Sequence, residues 1–136
     1  MRIALLTVGD ELLSGETENA NASWLASRLQ EQGTSVRRIV VVPDELDEIA
    51  GTLDRLRDEY DAVLVTGGLG PTHDDVTMEA VAQSFDSPMT ENQAVGDWLD
   101  TETEYALSDI VDGTAHLPEG AEFLPNPAGV ARMPHR

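Results

Sequence analysis

A chain of 136 residues has room for one domain with a substantial core and not for two. Its 26 acidic residues face 8 basic ones, a net charge of −18 that excludes nucleic acid and anionic membranes as partners. It has no cysteine, which excludes disulfides and thiolate chemistry, and no lysine, which excludes the lysine-bearing phosphate loop of nucleotide triphosphatases.

The acids are spread along the whole chain, and every basic residue is arginine. Such a composition resembles that of proteins from organisms with molar internal salt, where charge repulsion is screened to about 3 Å. His73, His116 and His135 are scattered and make no zinc pattern. No apolar run approaches the roughly 20 residues that span a bilayer, and Met1-Arg2 leads straight into a strand-like run rather than a signal peptide. A soluble cytoplasmic protein is expected.

In chain order, Ile3 to Val8 is an apolar run too short for a helix and suited to a strand buried on both faces. Gly9-Asp10 breaks it. Ala22, Trp24, Leu25 and Leu29 follow helical spacing from Asn21, with Gly33 as a stop. Val36 and Ile39 to Val42 make a second strand, ended by Pro43. Leu46, Ile49, Leu53 and Leu56 step as an amphipathic helix, and Ala62 to Thr66 is the third strand. Val76 to Phe85 reads as a helix, and Glu91 to Tyr105 as another with Val95, Trp98 and Leu99 inward; Trp24 and Trp98 are expected in the core. Beyond them Leu117-Pro118-Glu119-Gly120 reads as a turn, Glu122-Phe123-Leu124 as a short strand, and Pro125 to Gly129 as an irregular loop.

Strands alternating with helices predict a parallel sheet covered on both sides, with ligands bound beyond the carboxyl ends of the strands. Three loops lie there: Gly9 to Asn21, Pro43 to Leu46, and Gly67 to Val76. The third is the richest. Val63-Leu64-Val65-Thr66 runs into Gly67-Gly68-Leu69-Gly70, then Asp74-Asp75, then the helix beginning near Thr77. Glycines admit close backbone approach to an anion, and a helix N-terminus adds favourable charge. Carboxylates beside a phosphate would repel it unless a divalent cation sits between them.

One of Asp74 and Asp75 is expected to cap the helix, which leaves the other for chemistry, and Thr77 can cap or reach a phosphate. Asp44, in Val42-Pro43-Asp44-Glu45, either caps the next helix or joins the site, and Asp10 and Glu11 stand in the same position after the first strand. Convergence of all three carboxylate-bearing strand ends favours Mg²⁺ or another divalent cation held by Asp44, Asp74 and Asp75, with phosphoryl or nucleotidyl chemistry on a small phosphorylated ligand.

The segment Thr66-Gly67-Gly68-Leu69-Gly70-Pro71-Thr72-His73-Asp74-Asp75-Val76-Thr77-Met78-Glu79-Ala80-Val81 resembles the signature of the molybdopterin-binding (MoaB/Mog-like) domain family. Val8-Gly9-Asp10-Glu11-Leu12-Leu13-Ser14-Gly15 with Asn19 and Asn21, and the region Leu117 to Gly129, look most like its CinA branch. The resemblance implies a three-layer α/β/α sandwich with a mostly parallel sheet, a homo-oligomer binding a molybdopterin or a nucleotide. It implies catalysis by Asp44 and Asp75, with ligand contacts from Gly67, Gly68, Leu69, Gly70, Thr77, Asp10 and Asn21. Three functions stand open. One is ligand binding with Mg²⁺-dependent nucleotidyl chemistry in molybdenum cofactor biosynthesis. Another is the CinA-like metal-dependent pyrophosphohydrolysis of a nucleotide such as ADP-ribose. The third is a non-catalytic binding module, because Val130 to Arg136 stand where family members continue through a further strand, a ligand loop and a closing helix.

Overall fold

The computed structural model describes residues 1–70, 75–102, 116–124 and 133–135. The order is β1 (Ile3–Val8), α1 (Asp10–Leu13), α2 (Ala20–Glu31), β2 (Val36–Val42), α3 (Leu46–Glu59), β3 (Ala62–Thr66) and α4 (Thr77–Ser84). It continues with β4 (Met89–Glu91), α5 (Gln93–Glu102), β5 (His116–Pro118), β6 (Glu122–Leu124) and β7 (Met133–His135). The expected helix from Glu91 therefore starts two residues later, because Glu91 ends a short strand. Trp98, Leu99 and the region Pro125 to Gly129 lie outside the residues whose side chains or backbone are described.

The sheet order β2-β1-β3 is parallel throughout, with Leu5 opposite both Ile39 and Leu64. Central β1 is buried along its whole length because both its edges and both its faces are covered. Its even residues Ala4, Leu6 and Val8 pack on Ile49, Ala50, Leu53 and Leu56 of α3 and on Ala80 of α4. Its odd residues Ile3 and Leu5 pack on Ala22, Leu25, Ala26 and Leu29 of α2. That is three layers, and each buried aliphatic side chain contributes about 1.5–3 kcal/mol.

Edge strand β2 exposes Arg37, Arg38 and Ile39 in succession and fully buries only Val42, unlike a two-faced core strand. Trp24 corrects the expectation from helical spacing. It is 62% exposed, because Ala22, Leu25, Ala26 and Leu29 already fill the face that α2 turns to the sheet. The Arg28 guanidinium, one turn on, sits 5.7 Å from the Trp24 ring centre. A smaller cluster of Met78, Val95 and Leu117 joins α4, α5 and β5, and β4–β5 and β6–β7 are antiparallel pairs. The sequence Leu117-Pro118 thus ends a strand before the turn at Glu119-Gly120, and Met133–His135 forms a strand against β6.

Candidate functional site

The carboxyl ends of β1 and β2 are joined by a reciprocal clasp. The Asp10 N–H donates to Asp44 Oδ2 at 3.1 Å, and the Asp44 N–H donates to Asp10 Oδ1 at 3.0 Å. A third bond, from the Gly9 N–H to the Val42 carbonyl at 3.0 Å, continues the sheet into the clasp. Asp44 is therefore not the cap of α3: that place belongs to Glu45, and no side chain caps it. The Asp44 carboxyl is pushed above its ordinary range, chiefly by burial, and further by the negative charges of Asp10, Glu11 and Asp75. Its bond from the Asp10 N–H works the other way. Three acids, from the loops after β1 and β3, thus act on the Asp44 carboxyl in the loop after β2.

The loop after β3 is built around its glycines. Gly67 and Gly68 have φ of 88° and 66°, a left-handed conformation that side chains resist. A Cβ at Gly67 would stand 2.0 Å from the Val8 carbonyl oxygen, and one at Gly68 would stand 2.2 Å from Thr77 Oγ1. Thr77 is fully buried; its hydroxyl donates to the Gly67 carbonyl at 2.7 Å and its N–H to the Gly68 carbonyl at 3.2 Å. The hydroxyl's proton is spent inside the loop, which makes Thr77 a positioning residue here.

Asp75 directly precedes Val76, the N-cap residue of α4, which makes no side-chain cap bond. The Asp75 carboxylate lies over Gly70, where a Cβ would stand 2.8 Å from its Oδ2. Asp74 and His73 lie outside the described residues. The structure places Gly67, Gly68 and Thr77 in the loop's own scaffold, and Gly70 against Asp75.

A cavity of about 210 Å³ borders Gly67. Its polar lining includes Thr7, Glu11, Glu18, Asn19, Asn21 and Thr66. Asn21 and Gly67 meet here, whereas Asp10, Asp44 and Asp75 stand outside this wall. Asn19 holds Thr7 Oγ1 through its amide N–H at 3.3 Å, and its Oδ1 is buried without a hydrogen-bond partner. Glu11 folds back over Gly9, where a Cβ would stand 2.6 Å from Oε1. Glu11 therefore belongs to both the cavity and the acid group.

Thr7 and Thr66 join the expected site residues here, and Asn19, which enters the sequence pattern only through the family resemblance, gains a place in the cavity wall. A signal existed: Thr7 and Thr66 are hydroxyl residues near the carboxyl ends of otherwise apolar strands, and they lie opposite one another in register. A hydroxyl at a strand's carboxyl end faces the ligand edge of a parallel sheet.

Comparison with known proteins agrees with this architecture. A family described as "Probable molybdopterin binding domain" matches residues 4–134. A CinA-like protein of Citrifermentans bemidjiense is 42% identical over 134 residues, covering 96% of this chain but 32% of that protein. A protein of Archaeoglobus fulgidus is 38% identical over 133 residues, with 96% and 56% covered. The chain thus spans about a third to a half of these relatives. Among solved structures, CinA of Thermoplasma acidophilum, titled as of unknown function, superposes with a TM-score of 0.88 at 32% identity, covering 96% of this chain and 78% of that one. MoaB of Pyrococcus furiosus, titled a tungsten cofactor synthesizing protein, superposes with a TM-score of 0.59 at 22% identity over 92% and 74%, a likeness of fold alone. With the glycine loop, the acid clasp and the three layers in place, the chain belongs to the molybdopterin-binding domain family and is CinA-like within it.

Proposed function

We propose that the chain binds a phosphorylated small molecule, a molybdopterin or a nucleotide, across the carboxyl ends of β1, β2 and β3, and acts on it by divalent-metal-dependent chemistry at a phosphoanhydride. The observation that carries this reading is the placing of Asp44 in a clasp with Asp10, near Glu11 and Asp75, where burial first and their charges second raise its carboxyl. Negative charge gathered at a ligand edge is costly, and a cation together with phosphate would relieve it.

The residues fit such an ion in one way. Among the described residues no three acids or histidines are grouped to hold a metal by themselves. Asp44 also commits Oδ2 to the Asp10 N–H. Mg²⁺ takes one or two carboxylates and completes its shell with phosphate oxygens and water. Asp44 and Asp75 would hold it together with the ligand rather than ahead of it. The ion would supply charge neutralisation at the phosphoanhydride. The chain's own part is to present both carboxylates from a fixed clasp and a fixed glycine turn, so that no rearrangement is needed when charge develops.

The 42% identity to a CinA-like protein over 96% of the chain, against 22% to MoaB, favours the hydrolytic form of this reading, a nucleotide pyrophosphohydrolase acting on a substrate such as ADP-ribose. Isothermal titration in molar KCl with Mg²⁺ against molybdopterin, ATP and ADP-ribose, with product analysis of the same samples, tests both forms. AMP released from ADP-ribose supports hydrolysis, and saturable molybdopterin binding without that product supports the cofactor pathway. A folded chain that binds none of the three abandons the proposal.

A further inference from the structure

The three-stranded sheet has two edges, and they are finished differently. Outer strand β2 carries exposed Arg37 and Arg38 side by side, and its register against β1 shifts between Ile3 and Ala4. Charge and a bulge are devices that keep an edge strand from pairing with another chain. β3 has neither. Ala62-Val63-Leu64-Val65-Thr66 holds no charge and no proline, and it runs in unbroken register from Ile3 opposite Ala62 to Thr7 opposite Thr66. Among the described residues β1 is the one strand paired with it, which leaves its outer edge open.

The side chains tell the same story. Val63 and Val65 pack into the core on the α3 side, and Ala62 packs on the α2 side. Leu64 shares the α2 side, since it lies opposite buried Leu5. Helix α2 covers Leu5 but leaves Leu64 37% exposed. An unguarded edge thus stands beside an exposed leucine.

Charge names the occupant. With a net −18 spread along the chain, most faces of two copies repel each other. β3 is a neutral stripe in that surface. Antiparallel pairing of β3 with itself, about a two-fold axis at Leu64, opposes neutral residues throughout: Ala62 meets Thr66, Val63 meets Val65, and Leu64 meets Leu64. Just beyond, Asp61 of one copy falls opposite Gly67 of the other, and the Asp61 carboxylate already accepts the Arg2 N–H at 2.6 Å. The same register sets the two exposed leucines against each other on the α2 side. A basic partner would find acids all over this protein and has no reason to choose an uncharged strand.

We propose that the outer edge of β3 is a pairing surface for a second copy of this chain, joined antiparallel about Leu64 so that two three-stranded sheets become one. Main-chain hydrogen bonds would supply the affinity and the leucine pair the register. The proposal is independent of the ligand chemistry above.

Sedimentation equilibrium of the folded full chain over a range of KCl tests it, for the unaltered chain, Leu64→Thr and Leu64→Glu. Association of the unaltered chain should tighten severalfold as KCl rises, because the contact is neutral while the two bodies repel. Leu64→Glu sets like charges directly across the axis and should weaken the dimer about tenfold or more. Leu64→Thr keeps a strand-forming residue and should fall between. The absence of cysteine provides a second readout that does not depend on how the glutamate variant folds. Residues opposed across such an axis have Cα atoms about 4.5–5.5 Å apart, within disulfide reach. Leu64→Cys should therefore crosslink into dimers under mild oxidation, whereas Leu13→Cys, at a 56% exposed leucine of α1, should not. A chain that stays monomeric throughout overturns the proposal and leaves the edge to a strand of another polypeptide. A dimer that loosens as salt rises, that Leu64→Glu leaves intact, or that crosslinks through Leu13→Cys as readily as through Leu64→Cys overturns it too.

Discussion

Two loops that follow neighbouring parallel strands are held in place by opposite physics. After β1, the chain is fixed to β2 by Asp10 and Asp44, each carboxylate accepting the other's backbone N–H. After β3, the chain is fixed by neutral contacts: two glycines in left-handed conformation, pressed against the Val8 carbonyl and Thr77, and a buried hydroxyl on a carbonyl. The neutral loop is a scaffold that tolerates almost no change. The charged clasp keeps two negative groups together at some cost, which a structure without a use for them would gain by losing.

Gly67→Ala should have the largest effect of any single change here. It combines a φ of 88° with a Cβ 2.0 Å from a backbone oxygen that cannot move without disturbing central β1. We expect a loss of about 3 kcal/mol or more, read as a fall in the denaturant midpoint. A variant that melts like the parent would mean the turn relaxes freely and is no scaffold. Gly68→Ala meets Thr77 Oγ1 and is strained likewise, so it reports on folding and not on whether the loop touches a phosphate.

Thr77→Val comes next. It keeps the shape of a fully buried side chain but removes the donor to the Gly67 carbonyl. The expected cost is about 1–2 kcal/mol, because a buried acceptor is left unpaired, and Thr77→Ser should recover most of it. Equal stability of the valine and threonine forms would show that the carbonyl finds another donor.

The charged clasp should answer in the other direction. Because the folded-state pKa of Asp44 lies above its ordinary 3.8, the folded chain binds this proton more tightly than the unfolded one. The contribution is therefore favourable below the unfolded value and is lost as pH rises through the folded one. At neutral pH the ionised carboxylate costs stability. Asp44→Asn should stabilise the fold at pH 7 by up to about 1 kcal/mol, with the gain vanishing near pH 3, while ligand turnover is lost. Thermal melts at both pH values check the sign; destabilisation at pH 7 would show that the clasp is structural first.

The same division explains what could be foreseen from residues. β1, β2, α3 and β3 fall where their apolar patterns place them, because a buried strand or an amphipathic helix carries its environment in its own spacing. Trp24 escaped because helical spacing shows which residues share a face and not how many of them the sheet can cover. The short strands β4, β5 and β7 escaped because three residues in an antiparallel pair carry no period. In the site, Asp44 and Gly67 stood out by position, whereas the Asp10–Asp44 exchange depends on two strand ends 34 residues apart in sequence lying side by side. The Asn19 amide could be placed only by the fold, since its partner Thr7 belongs to another element.

Gly70 separates the two kinds of loop most finely, because it belongs to the neutral turn and lies against an acid of the charged side. Unlike Gly67 and Gly68, it does not have a positive φ. The three atoms nearest a Cβ there all belong to the Asp75 carboxylate, with Oδ2 at 2.8 Å and Cγ at 3.3 Å. A side-chain end can swing aside, so Gly70→Ala should change stability by no more than about 0.5 kcal/mol. The carboxylate, however, must leave the position from which it acts on Asp44. Binding of a phosphorylated ligand with Mg²⁺ should therefore weaken severalfold in Gly70→Ala, with the melting temperature nearly unchanged. Asp75→Asn should reproduce the binding defect, and combining the two changes should add little, since each removes the same charge from the same place. Additive defects would mean that Gly70 contacts the ligand through its own backbone, and the glycine turn would then be both scaffold and site.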